Sequence, residues 1–135
     1  MKIYISGSWY HRGRIRLYMN NVEARGHKII YNWANIPAID KTVKFYKKSA
    51  IEMSENIKEC DIFVVIMDED KTSYLNSFFE MGIALALGKE IKLYNPRTVI
   101  PLNTTSENVE SSVFYFHPSV KKFNNWKELL KDLNE

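Results

Sequence analysis

Glu80 is the one charge at the start of a helix-length apolar segment, Ser77-Phe78-Phe79-Glu80-Met81-Gly82-Ile83-Ala84-Leu85-Ala86-Leu87, which closes at Gly88. A carboxylate in such surroundings is expensive unless something holds it. One explanation is local. Ser77-x-x-Glu80 fits a capping box, in which each side chain satisfies the other's backbone N–H at a helix start. The other is chemical, because a carboxylate presented this way can serve as a covalent nucleophile. Residue types alone leave both open.

A second group of candidates follows the first apolar run. Gly7-Ser8-Trp9-Tyr10-His11-Arg12-Gly13-Arg14 combines glycine, hydroxyl and guanidinium groups ahead of a helical stretch, the makings of a phosphate-binding turn. It has neither the G-x-G-x-x-G spacing of a dinucleotide site nor the G-K-[ST] of a P-loop, which disfavours a redox cofactor and triphosphate hydrolysis. Trp9 and Tyr10 offer faces on which a nucleobase could stack, or Trp9 merely covers the sheet edge. Asp68 and Asp70 follow the most apolar strand at its carboxyl end, whereas Asp61 opens that strand and reads as a structural helix-to-strand residue. His11, His27 and His117 have no metal-ligand spacing, so no metal is expected. No cofactor is expected either.

These residues must be positioned by alternating elements. Lys2–Ser6 is a short β-prone run, and Ile15, Met19 and Val22 have helical spacing before a stop at Gly26. His27–Trp33 reads as a second strand, residues 34–40 as a loop, and Thr42 to Glu59 as a second helix. Ile62–Met67 is a continuous β-branched and apolar run, the pattern of a central parallel strand. The helix carrying Glu80, apolar nearly all round, should be largely buried. Glu90–Tyr94 reads as a fourth strand and Val113–Phe116 as a fifth, and Trp126, Leu129, Leu130 and Leu133 line one face of a last helix. The alternation predicts an α/β fold: a three-layer, flavodoxin- or Rossmann-like, five-stranded, mostly parallel sheet with helices on both faces. Ligands of such sheets bind beyond the carboxyl ends of the strands.

The 135 residues fit one domain over 1–135, with a sizeable core. Nineteen basic and sixteen acidic residues give a formal charge of +3 spread along the chain, short of the dense basic face that a nucleic-acid polymer requires. The single cysteine, Cys60, excludes an internal disulfide, and with no signal-peptide pattern or membrane-length apolar run the expectation is a cytoplasmic protein with no membrane partner.

Tyr4-Ile5-Ser6-Gly7-Ser8-Trp9-Tyr10 and Phe79-Glu80-Met81-Gly82-Ile83-Ala84-Leu85-Ala86-Leu87-Gly88-Lys89, taken in order with the central strand and a late aromatic segment, resemble the nucleoside 2-deoxyribosyltransferase family. The superfamily also holds 2′-deoxynucleoside 5′-monophosphate N-glycosidases. The resemblance covers most of the chain and implies that Glu80 is the nucleophile, attacking the anomeric carbon as the base departs. It implies that Tyr4 or Ser77 holds Glu80 in its attacking rotamer and that Asp68 belongs to the catalytic set. Gly7, Ser8, Trp9, Arg12, Asp70, Ser77 and Met81 would bind substrate. The family's aspartate eight residues before the one opening the central strand is replaced here by Met53, with Glu52 beside it. In the family a polar residue before the last strand reaches into a neighbouring subunit's site. Ser111 or Ser112 holds that place, which implies a homodimer or larger homo-oligomer.

Three functions follow. The first is exchange of nucleobases between 2′-deoxynucleosides through a deoxyribosyl-Glu80 intermediate. The second is hydrolysis of 2′-deoxynucleoside monophosphates, favoured by His11, Arg12 and Arg14. The third is a nucleotide-sensing module without chemistry, which gains from Met53.

Overall fold

The computed structural model describes residues 1–36, 42–68, 74–97 and 113–135. Five strands, β1 (Lys2–Ser6), β2 (Lys28–Ile29), β3 (Ile62–Ile66), β4 (Glu90–Tyr94) and β5 (Val120–Phe123), form one sheet in the order β2-β1-β3-β4-β5. Every pairing is parallel. The helices are α1 (Arg12–Ala24), α2 (Val43–Glu59), α3 (Leu75–Ala86) and α4 (Trp126–Leu133). This is the three-layer α/β architecture that the alternation of elements predicts.

The period of two in a strand assigns each residue to a layer. Ile3 and Ile5 of β1, with Ile62, Val64 and Ile66 of β3, face Ile15, Met19 and Val22 of α1 and Leu129 and Leu133 of α4. Tyr4, Phe63, Val65 and Met67 face the other way, onto Ile57 of α2 and Met81 and Ala84 of α3. Ser6 shares the parity of Tyr4, so β1 sends two polar side chains toward α3. Where β1 turns toward α1 the chain runs so close that a Cβ on Gly7 would lie 2.6 Å from Ile15 Cδ1. Gly26, directly after α1, has φ +88°, the left-handed conformation that ends helices. Thr42 Oγ1 accepts from the Phe45 N–H and Asn125 Oδ1 from the Glu128 N–H, capping α2 and α4.

Four expectations change. The second strand is only Lys28–Ile29, because the chain then leaves the sheet and Trp33–Asn35 forms a 3-10 turn, anchored by the Trp33 indole N–H on Ile5 O at 2.7 Å. Val113–Phe116 is a 3-10 turn in which only Tyr115 is buried, and the fifth strand is Val120–Phe123. An edge strand tolerates its two exposed lysines, Lys121 and Lys122, which hide it from an apolar pattern search. Helix α3 begins at Leu75, two residues early, with Tyr74 at its N-cap and no side-chain capping bond. Lastly, α3 is not buried all round, since Leu75 and Phe79 are 63% and 66% exposed. Among the described residues no helix is long and apolar enough to cross a membrane.

Candidate active site

The start of α3 removes the local explanation of Glu80. Ser77 lies in the first turn and Glu80 in the second, so neither is placed to cap the helix. Three apart, they share a helix face, and that face meets Tyr4 and Ser6. The Tyr4 hydroxyl donates to Glu80 Oε2 at 2.5 Å. Ser6 Oγ lies 3.3 Å from Glu80 Oε1 and 2.9 Å from Ser77 Oγ, so its single proton serves one or the other.

Burial pushes the Glu80 carboxyl up to about 7, against the lowering effect of the bonds from Tyr4 and Ser6. Burial, and then the charge of Glu80, raise Tyr4 well above the ordinary tyrosine value, so it remains a donor. A carboxylate that titrates near neutrality and is held by the Tyr4 hydroxyl is suited to nucleophilic or acid-base work. Among the described residues no group of three or more His, Cys, Asp or Glu could hold a metal ion.

Glu80 lines a cavity of about 370 Å³ together with Tyr4, Gly7, Ser8, Trp9 and Ser77. Trp9 stacks on Trp33 with ring centroids 6.0 Å apart, giving one wall a broad aromatic face. Ser8 Oγ is buried and has no hydrogen-bond partner among the described residues. Met53 also lines the cavity, while the neighbouring Glu52 accepts from the Tyr31 hydroxyl at 3.0 Å. Tyr31 itself lines the cavity and stacks on Tyr4 at 6.3 Å.

The remaining candidates lie elsewhere. Asp68 has the parity of Val64 and Ile66, which turns it toward α1. There it pairs with Arg14 Nε at 2.8 Å and accepts from the Tyr18 hydroxyl at 2.9 Å, outside the cavity lining. Arg12 sits over the Trp9 ring, 5.0 Å from its centroid, and braces that side chain rather than lining the cavity. Met81 is fully buried in the core behind Glu80. Asp61 Oδ2 accepts from the Lys2 N–H at 2.8 Å, the structural role its position suggests. Asp70, Ser111 and Ser112 lie outside the described residues.

Trp33 lies where the carboxyl end of the second expected strand would place a ligand-facing residue, whereas sequence reasoning missed Ser6, Tyr31, Ser49 and Tyr74. Ser6 could have been found, since it shares the parity of Tyr4 along β1. The others belong to a two-residue strand's exit, the middle of α2 and the N-cap of α3, where no short motif marks them.

No protein-family model matches the sequence, and no curated protein matches it. Solved structures do. A CMP N-glycosidase from Clostridium botulinum is 18% identical with a TM-score of 0.62, the match covering 100% of both chains. A 2-deoxyribosyltransferase from Bacillus psychrosaccharolyticus is also 18% identical, with a TM-score of 0.68 over 96% of this chain and 90% of that one. The 2-deoxyribosyltransferase of Leishmania mexicana is 24% identical with a TM-score of 0.51, covering 72% of this chain and 65% of that one. The chain is thus similar in fold, from end to end, to enzymes of both kinds.

Proposed function

We propose that this protein is an enzyme that cleaves the N-glycosidic bond of 2′-deoxynucleosides and transfers the sugar to another nucleobase. The observation that carries the proposal is the Tyr4–Glu80 bond of 2.5 Å in an aromatic-walled cavity of nucleoside size. In the first step a Glu80 oxygen attacks C1′ while the bond from C1′ to the base nitrogen breaks, its electron pair leaving with the base. In the second an incoming base nitrogen attacks the same carbon, the carboxylate is released, and the proton lost from that nitrogen to solvent balances the one the departed base anion takes up. Tyr4 and Ser6 hold the carboxylate, and Trp9 and Trp33 supply a stacking wall. No step is assigned to Asp68, whose carboxylate is engaged by Arg14 and Tyr18.

Hydrolysis of a 2′-deoxynucleoside 5′-monophosphate is a second reading; the full-length likeness to the CMP N-glycosidase supports its monophosphate and hydrolytic parts, CMP itself carrying ribose. Against it, none of the described residues lining the cavity is Lys, Arg or His, the groups that would balance a phosphate. In either reading the protein is a homodimer or larger homo-oligomer, for which the exposed Leu75 and Phe79 on α3 supply an apolar contact face.

Deoxycytidine or deoxyadenosine, incubated with a different free base, tests the reading. A new deoxynucleoside in the chromatogram supports transfer, and release of free base with no new nucleoside supports hydrolysis. A deoxyribosyl adduct on Glu80 by mass spectrometry would eliminate a purely sensing role. No turnover of any deoxynucleoside or monophosphate would reject the enzyme.

A further inference from the structure

The hydroxyls lining the cavity are not equivalent, because Tyr4 and Tyr31 each donate their proton to a carboxylate. Tyr31 is the clearest case. Tyr31 lines the cavity and its hydroxyl donates to Glu52 Oε2 at 3.0 Å, while Glu52 itself is not among the lining residues. A phenol has one proton and two lone pairs. With the proton held by a carboxylate, a charge-assisted bond stronger than a neutral one, Tyr31 has only a lone pair left to offer a ligand. Burial, and then the bond to Glu52, push the Tyr31 hydroxyl up to about 12, so it keeps this proton through the neutral range. Stacking on Tyr4, whose own hydroxyl is on Glu80, fixes the Tyr31 ring close to the carboxylate that would attack the sugar.

Resting on the glycosyl-transfer reading above, we propose that the Tyr31–Glu52 pair is a specificity device that presents a hydrogen-bond acceptor to the nucleobase and so selects bases bearing an exocyclic amine. Cytosine and adenine carry an amine where uracil and hypoxanthine carry a carbonyl oxygen. An amine donates to the Tyr31 oxygen. A carbonyl at the same place sets lone pair against lone pair, or forces Tyr31 to give up Glu52. Tyr31 touches the base and Glu52 is a positioning residue that acts through it. Met53, the neighbour of Glu52 on α2, also lines the cavity and offers no polar group to reverse the choice.

The test compares matched pairs, deoxycytidine with deoxyuridine and deoxyadenosine with deoxyinosine, by kcat/KM. Wild type should favour the amine member of each pair by about tenfold or more, the scale for a buried polar group left facing the wrong partner. Tyr31→Phe should bring both ratios near one. Glu52→Ala should go further, since the freed Tyr31 proton can then be donated to a carbonyl, and the ratios should move toward deoxyuridine and deoxyinosine. A merely structural role for Glu52 would lower all four rates together. Binding of free cytosine and uracil, followed by tryptophan fluorescence, reports the same preference without turnover. Equal or carbonyl-favouring ratios in wild type, or ratios unchanged in Tyr31→Phe, would overturn the proposal while leaving glycosyl transfer standing. Absence of all turnover together with a cytosine preference lost in Tyr31→Phe would reject the transfer reading and keep the acceptor.

Discussion

Tyr4 and Glu80, 76 residues apart in the chain, meet across 2.5 Å because β1 points Tyr4 at the one face of α3 that carries a carboxylate. The bond lowers the Glu80 pKa and burial raises it, and burial prevails, leaving the group near 7. Tyr4→Phe removes the lowering influence, so Glu80 should hold its proton to higher pH. If the ionised carboxylate is the nucleophile, the acidic limb of the kcat/KM profile should lie near pH 7 in wild type and move upward in the variant. Activity at neutral pH should fall by about 10- to 100-fold, the worth of a hydrogen bond to a charged group. An acidic limb that stays in place would contradict this.

The same balance sets a stability signature. The folded-state pKa of Glu80 is raised above its ordinary value of 4.5, so between about 4.5 and 7 the folded chain binds a proton that the unfolded chain has lost. Stability from this group is therefore fully present below the lower value and declines as pH rises through the window. Glu80→Gln removes the titration. The difference in Tm between Glu80→Gln and wild type should grow in favour of the variant from pH 4.5 to pH 7.5, and a difference independent of pH would count against a buried, titrating Glu80.

Sugar choice supplies a third test. A ribose 2′-hydroxyl withdraws electrons from an oxocarbenium-like transition state, so ribonucleosides should turn over much more slowly than 2′-deoxynucleosides. Comparable kcat/KM values for uridine and deoxyuridine would oppose the 2′-deoxy assignment.

Assembly can be checked at α3. Leu75 and Phe79, one helical turn apart, present an exposed apolar strip beside the cavity. Phe79→Asp should shift the molar mass measured by light scattering from a multimer to a monomer. A monomeric wild type, or a multimer indifferent to this substitution, would remove α3 from the interface.

Much of this arrangement can be read from particular residues. Ile62–Met67 declares a central strand because a sheet covered on both faces needs apolar residues of either parity, and Glu80 stands out as the one charge near the start of an apolar helix. Parity along β1 would also have led to Ser6. Asp68 shows the limit of judging by strand end alone, since its parity with Val64 and Ile66 sends it to α1, away from Glu80. The strand Val120–Phe123 is hidden by edge lysines, and Tyr31 by a strand that stops at Ile29. Its pairing with Glu52 depends on how α2 packs, which no spacing in the chain encodes.

The nucleophile itself is tested most directly by the turnover of Glu80→Gln. An amide can still accept the bond from Tyr4 but cannot form the ester, so kcat for deoxynucleoside cleavage should fall by about 10⁴-fold or more in a variant that melts no lower than wild type. A folded Glu80→Gln protein with near wild-type turnover would contradict the account at its centre.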